Sequence, residues 1–148
     1  MGLQPLRYAS TMLIEEHPAT GHSSAATRFI TATPIFLVGN IETVMLWYQS
    51  LGFDATYYPP GFCILSRDDV QIFLQHQEGY TRPKEPLREE RAAWDVYIFT
   101  DNVQALFDDL SQRPDVKILR TPCKQEYGQT DFEIVDPNGY VLVFAQPS

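Results

Sequence analysis

The alternation of apolar and polar residues predicts short strands and two helices that follow the same order twice along the chain. The first apolar run, at residues 29–38, predicts a strand. Pro34 cannot donate a backbone hydrogen bond to a neighbouring strand, so this strand should lie at a sheet edge or start irregularly. Asn40 is a favourable N-cap for the helix that follows, and Gly52 is placed to end that helix. The apolar residues at helical spacing are Ile41, Val44, Met45, Tyr48 and Leu51.

Three short strands follow that helix, and the same order then begins again. The strands are predicted at residues 54–58, 62–66 and 70–76, with turns rich in Pro, Gly and Asp between them. The second unit has a strand at 94–99 and then a helix capped by Asp101 or Asn102. The apolar face of that second helix consists of Val103, Leu106, Phe107 and Leu110.

A closing hairpin ends the second unit, after a short strand predicted at 116–119. The turn of the hairpin is Asp136-Pro137-Asn138-Gly139, in which Pro fixes φ and Asn-Gly tolerates the left-handed conformation. β-branched and aromatic residues flank the turn on both sides. Each half of the chain is therefore predicted to be a βαβββ module, and each module leaves a sheet face that needs its twin.

These features resemble the glyoxalase/bleomycin-resistance/extradiol-dioxygenase superfamily, also called the vicinal oxygen chelate proteins. The resemblance rests on the repeat, the Trp47-Tyr48-x-x-Leu51-Gly52-Phe53 helix end and the closing hairpin, whose Phe-x-Gln ending is most similar to the bleomycin-resistance-like branch. It implies an α+β fold in which the two βαβββ modules form a cup-shaped mixed sheet around a ligand site. The predicted parts are an N-terminal arm at 1–28, modules at 29–77 and 94–148 that form one domain, and a linker at 78–93.

Many members of the superfamily hold a divalent metal with His and Glu side chains from equivalent strands. The matching positions in this chain are Thr33, Phe73, Asp95 and Val143, and only Asp95 carries a group that binds a hard cation. A catalytic metal normally needs about three protein ligands. We therefore predict no metal, no other cofactor and no catalytic residue. A metal-dependent lyase or dioxygenase of the same superfamily is the alternative.

Strand alternation turns a set of polar and aromatic side chains toward the expected ligand site. If Asp95 faces inward, Tyr97 and Phe99 face inward as well, and an inward Phe73 brings Gln75 with it. Such residues suit a planar, cationic or amide-rich ligand, although aromatic residues also commonly fill protein cores. The predicted ligand-binding residues are Phe73, Gln75, Asp95, Tyr97, Phe99 and Glu133.

Composition narrows the class of partner. The formal charge of −8 disfavours nucleic-acid binding and is compatible with attraction of a cationic small molecule. No apolar run approaches the roughly 20 residues of a membrane-spanning helix, and the N-terminus has no secretory signal pattern, so we predict a cytoplasmic protein with no membrane partner. Cys63 and Cys123 lack metal-type spacing and are expected to be free thiols.

The resemblance implies a binding protein and not an enzyme. In the branch that this chain resembles, a homodimer shapes two clefts that sequester a cationic glycopeptide antibiotic without changing it chemically. We therefore expect a homodimer that binds a cationic or aromatic small molecule, with Asp95 as a charged contact to the ligand. A ligand-sensing or purely structural interaction module is a third class that the sequence leaves open.

Overall fold

The structure, a computed structural model, describes residues 26–83 and 93–148. Most of the predicted arm at 1–28 and most of the predicted linker at 78–93 therefore lie outside the described residues. No helix in the described part of the chain is long and apolar enough to cross a membrane.

The first module forms a four-stranded mixed sheet with one helix. Its elements are β1 (Ile35–Val38), α1 (Ile41–Ser50), β2 (Asp54–Tyr58), β3 (Phe62–Arg67) and β4 (Val70–His76). The strand order is β1-β4-β3-β2, in which β1 runs parallel to β4 and the other neighbours are antiparallel. Strand β1 is thus an edge strand, as Pro34 predicted, although it begins at Ile35 and not at Phe29.

The second module repeats this arrangement. Its elements are β5 (Val96–Phe99), α2 (Val103–Leu110), β6 (Lys117–Lys124), β7 (Gln129–Val135) and β8 (Val141–Pro147). The strand order β5-β8-β7-β6 matches that of the first sheet, with β5 parallel to β8. The predicted α+β class and the two βαβββ modules are confirmed, and the strands divide into two four-stranded sheets.

Strand β6 is longer than the sequence predicts. We expected a strand at 116–119, but β6 continues to Lys124 with shifts in register on either side of Arg120. The continuation contains Pro122 and Lys124, whose residue types are depleted in strands, so pairing with the long strand β7 overrides the local preference. The register shifts matter for the site because they decide which way Arg120 points.

The polar groups at the helix ends explain why the helices begin and end where they do. The side chain of Asn40 accepts a hydrogen bond from Thr43 N at 3.1 Å, and Asn102 accepts one from Ala105 N at 3.0 Å. Gly52 follows α1 with a φ of +90°, the left-handed conformation predicted for this position. Guanidinium groups of Arg67 and Arg113 donate to carbonyl oxygens at the end of α1.

A buried hydrogen bond joins the two modules. The hydroxyl of Tyr48 on α1 donates to the carboxylate of Asp136 in the closing turn, with 2.7 Å between the oxygens. Tyr48 is 0% exposed and Asp136 is 4% exposed. The other oxygen of Asp136 accepts from the backbone N–H groups of Asn138 and Tyr140. One carboxylate thus closes the hairpin turn and connects that turn to the first module.

The rest of the closing turn holds the end of β1. The Asn138 side chain accepts a hydrogen bond from Gly39 N at 3.0 Å and donates to Leu37 O at 3.2 Å. The hydroxyl of Tyr140 also donates to Leu37 O, and its ring stacks on Phe36 with the centroids 4.1 Å apart. The residues of the predicted turn therefore bind the first module as well as reversing the chain.

Removal of the Tyr48 hydroxyl should destabilise the protein. Tyr48→Phe deprives the buried Asp136 carboxylate of one donor, which typically costs about 1–3 kcal/mol of unfolding free energy. Urea denaturation measures this loss. The control is Tyr58→Phe on β2, where the side chain is 53% exposed and a change within about 0.5 kcal/mol is expected. Equal effects of the two substitutions would contradict a structural role for the Tyr48 hydroxyl.

The buried carboxyl also predicts an unusual pH dependence. Burial raises the pKa of Asp136 from 3.8 to about 6, despite the opposing hydrogen bonds from Tyr48 and the turn. Because the native state holds this proton more tightly than the unfolded chain, the stability from this group is fully present below pH 3.8. It is lost as the pH rises through about 6.

The variant Asp136→Asn cannot take up this proton, so it provides the comparison. Between about pH 7 and about pH 4, the difference in unfolding free energy should move in favour of the wild type by on the order of 2 kcal/mol. Denaturant titrations of both proteins at each pH measure this shift. A difference that stays constant across the range would show that Asp136 titrates normally in the native state.

Candidate functional site

Each sheet has one face covered by its helix, and the opposite face is here called the open face. In the second sheet this open face is exposed along β5 but buried at β7 and β8. In the first sheet the buried side chains alternate with the open-face ones, and Ile72 and Leu74 of β4 are fully buried. The open face therefore carries Phe73, which is half-buried, and Gln75, which is exposed. The ring of Phe62 lies edge-on to Phe73 with the centroids 5.2 Å apart. Aromatic and amide groups thus lie together on this face.

The open face of the second sheet is more strongly aromatic. Tyr97 and Phe99 of β5 lie on it with ring centroids 5.3 Å apart, and Trp94 lies 5.4 Å from Tyr97. Phe99 is 62% exposed and Trp94 is 37% exposed. These rings form a row along one edge of the sheet, because β5 is an edge strand.

A charged cluster lies behind this row of rings. Asp131 and Glu133 of β7 are 0% and 3% exposed. The Arg120 guanidinium donates to both carboxylates, with 2.8 Å between its Nε and Glu133 Oε2. Trp94 Nε1 donates to the same Glu133 oxygen at 3.1 Å. The predicted ligand contact Glu133 therefore has two protein partners, and its role as a ligand contact stays a prediction.

Asp131 accepts hydrogen bonds from two tyrosines. The Tyr97 hydroxyl donates to Oδ2 at 2.9 Å and the Tyr127 hydroxyl donates to the same oxygen at 2.5 Å. Burial raises the pKa of Asp131, but hydrogen bonds from Tyr127, Arg120 and Tyr97 outweigh that effect and hold the pKa below its usual value. Burial and the bond to Asp131 raise the pKa of Tyr97 and of Tyr127. The carboxylate is therefore ionised and the phenols are neutral donors.

Asp95 is held by partners that the sequence analysis did not identify. Its two oxygens lie 2.8 and 2.7 Å from Arg82 Nε, and Oδ2 also accepts from Val141 N at 2.8 Å. The pair is mostly shielded, with the Arg82 and Asp95 side chains 15% and 16% exposed. The Asp95 carboxylate therefore has two protein partners, and its role as a ligand contact stays a prediction.

An open cleft of about 1170 Å³ lies between the start of β1, the β3–β4 turn, β5 and α2. Among the predicted site residues, Tyr97 and Phe99 line it, whereas the other four do not. Four carboxylate side chains line the same cleft: Asp68, Asp69, Asp101 and Asp109. The structure therefore joins an aromatic edge to an acidic rim. Phe73 and Gln75 lie on the first sheet, apart from the other predicted residues.

The four positions that match metal ligands in the superfamily that the sequence resembles do not fit a metal here. Thr33 lines the cleft, Phe73 and Val143 present only hydrocarbon, and Asp95 is paired with Arg82. Among residues 26–83 and 93–148 there is no group of three or more His, Cys, Asp or Glu side chains that could hold a metal ion. The donor set therefore lacks the roughly three protein ligands that a catalytic metal requires.

Four further residues complete the cluster on the second sheet and were not among the predicted contacts: Trp94, Arg120, Tyr127 and Asp131. Alternation already places Asp131 on the same face as Glu133, so the sequence contained a signal for it. Arg120 reaches this face only because the register of β6 shifts around it, which no local pattern shows.

Solved structures show which proteins share this fold. A bleomycin-binding protein complexed with bleomycin has a TM-score of 0.61 at 22% identity, covering 80% of this chain and 98% of that one. A bleomycin resistance determinant encoded on the transposon Tn5 has a TM-score of 0.61 at 23% identity, covering 80% and 98%. The fold is that of the bleomycin-resistance-like proteins.

One further solved structure broadens the comparison. A glyoxalase/bleomycin resistance protein/dioxygenase from Alicyclobacillus acidocaldarius has a TM-score of 0.64 at 14% identity, covering 79% of this chain and 90% of that one. The comparisons with protein-family models and with curated proteins found no match. The resemblance inferred from the sequence is thus confirmed for the fold.

The contacts of Asp95 predict that its charge stabilises the protein. Asp95→Asn leaves the shielded Arg82 guanidinium without a carboxylate, which should lower the unfolding free energy by about 1–3 kcal/mol. Chemical denaturation measures the loss. The matched control is Asp54→Asn on β2, where the residue is exposed and a change within about 0.5 kcal/mol is expected. An unchanged stability of Asp95→Asn would show that the pairing with Arg82 does not stabilise the fold.

Proposed function

We propose that this protein binds and sequesters a cationic or aromatic small molecule, such as a glycopeptide antibiotic, and does not change it chemically. The observation that carries the proposal is the row of exposed aromatic side chains on the open face of a bleomycin-resistance-like fold. One protein with this fold forms a complex with bleomycin. Stacking on aromatic side chains suits a large ligand with planar groups.

The acidic rim supports a cationic ligand. Asp68, Asp69 and Asp101 are exposed and line the same cleft as Phe99. Carboxylates around an apolar cleft raise the local concentration of cations and speed their association. The carboxylates of the rim would therefore attract the ligand, and the aromatic side chains would hold it. No metal would be bound at the Thr33, Phe73, Asp95 and Val143 positions.

We further propose that the binding unit is a homodimer. Each open face exposes large apolar side chains, including Ile35 at 57% and Phe99 at 62%. The strand orders also leave β1, β2, β5 and β6 at sheet edges. Exposed apolar area and sheet edges are commonly covered by two-fold association, which would set the open face of one subunit opposite that of another. A ligand between two such faces would contact rings on both sides.

Calorimetric titration with metal-free bleomycin tests the proposal, with sedimentation velocity on the same sample. We expect saturable binding, a dimer at micromolar concentration, and the same affinity before and after dialysis against EDTA. Phe99→Ala should weaken binding about two- to tenfold because it removes a stacking surface.

The matched control is Leu46→Ala. Leu46 lies on α1 and is 63% exposed, almost the same as Phe99 at 62%, so the two substitutions remove similar exposed apolar groups. Equal losses of affinity in both variants would show that the aromatic edge is not the site. Loss of binding after EDTA treatment would favour a metal-dependent protein, and a monomer that binds normally would exclude the dimer cleft.

A further inference from the structure

The buried carboxylate of Asp131 takes part of its hydrogen bonding from a surface turn. Its Oδ2 accepts from the hydroxyls of Tyr97 and Tyr127. Its Oδ1 accepts from the Arg120 guanidinium and, at 3.2 Å, from Gln125 Nε2. Gln125 and Tyr127 lie in the connection between β6 and β7. Two of the four donors that the described residues provide therefore come from outside the sheet.

Residues 125–128 form this connection, here called the covering turn. Tyr127 is 50% exposed, although its hydroxyl reaches a carboxylate that is 0% exposed. Gly128 ends the turn with a φ of +86°, and a Cβ at this position would meet no atom of the described residues within 4 Å. The Tyr127 side chain thus lies between solvent and Asp131, and there is open space beside the turn.

The acceptors around Asp131 outnumber the cations. Among the described residues, only Arg120 pairs with Asp131 and Glu133, so the cluster keeps one formal negative charge. The Glu133 side chain is 4% exposed, and no hydrogen bond from the described residues reaches its Oε1. The buried Gln129 Oε1, on the same face of β7, also has no partner in the described part of the chain. Buried charge that is only partly paired favours a further cation.

The donors that the covering turn supplies are neutral. Burial and the hydrogen bond to Asp131 raise the pKa of Tyr127, so its hydroxyl stays protonated. A cationic N–H group adds direct Coulomb attraction to the hydrogen bond that a neutral phenol gives a carboxylate. Such a group would therefore replace the Tyr127 hydroxyl with a gain in electrostatic energy, and the contacts of Arg120 would remain.

We propose that Asp131 is a covered subsite for a cationic nitrogen group of the ligand, either an amine, an amidinium or a guanidinium. The covering turn withdraws Tyr127 when this group binds, while Arg120 and Tyr97 keep the carboxylate in place. The proposal rests on the proposed binding function and names the group that receives the charge of the ligand. Tyr97 also lines the open cleft, so the subsite adjoins the space in which we propose that the ligand binds.

Two small probes separate the charge of a ligand from its shape. Benzamidine and benzamide have the same ring and a planar end group, but only benzamidine carries a positive charge. Ligand-observed NMR titrations of the wild-type protein should show that benzamidine binds at least about threefold more tightly than benzamide. Equal affinities would overturn the proposal, because the subsite requires a cation.

Tyr127→Phe removes the neutral donor that competes with the ligand for Asp131. We therefore expect this variant to bind benzamidine about three- to tenfold more tightly than wild type, with benzamide within about twofold. A hydroxyl that contacts the ligand would give the opposite sign. The matched control is Tyr58→Phe on β2, where the side chain is 53% exposed and the affinity for benzamidine should stay within about twofold. Unchanged or weakened binding of benzamidine by Tyr127→Phe would overturn the subsite.

Salt separates the subsite from the acidic rim of the cleft. Attraction by exposed carboxylates is largely screened at about 0.5 M NaCl, whereas a shielded pair is screened much less. The ratio of the Tyr127→Phe affinity to the wild-type affinity should therefore persist at this salt concentration. Loss of the ratio would assign the gain to the rim and overturn the subsite.

Parallel titrations with bleomycin distinguish failure of this proposal from failure of the proposed function. Binding of bleomycin without the gain for benzamidine would overturn the subsite and leave the sequestering function intact. The gain for benzamidine without binding of bleomycin would support the subsite and exclude this antibiotic as the ligand. Absence of binding by every compound would overturn both.

Discussion

The hydrogen bond between Tyr48 and Asp136 is the contact on which the relation between the two modules depends. It lies in a region without access to water, and its carboxylate also closes the turn that precedes β8. Residues in and next to this turn also form hydrogen bonds with the backbone of Leu37 and Gly39 at the end of β1. This buried oxygen pair and the backbone groups around it thus connect the closing turn of the second module to α1 and β1 of the first.

The two modules have the same order of strands but carry different side chains on their open faces. The first sheet presents Phe73 and Gln75 without a charged cluster behind them, whereas the second sheet sets its rings over Arg120 and its carboxylates. The carboxylates that line the cleft face water, where salt screens their charges. The carboxylates of Asp131 and Glu133 are instead buried and paired with Arg120.

The sequence predicted the parts of the structure that are set by local patterns. Period-two alternation identified the strands, and Asn40 and Asn102 identified both helix starts, because each effect involves neighbouring residues. The partners of Asp95 and Glu133 were not predictable in this way. Arg82 is 13 positions from Asp95, and Arg120 reaches Glu133 only through a shift in strand register. Tertiary pairing of charges leaves no periodic signal in the chain.

Residues of both modules bind the C-terminal end of helix α1. The carbonyl end of a helix carries a partial negative charge, and here Arg67 of the first module and Arg113 of the second both donate to it. Trp47 of the same helix donates to Asp115 O of the second module as well. An isolated first module would have a helix end with half of its compensating charge missing. These contacts are compatible with the two modules forming one domain, which stays a prediction.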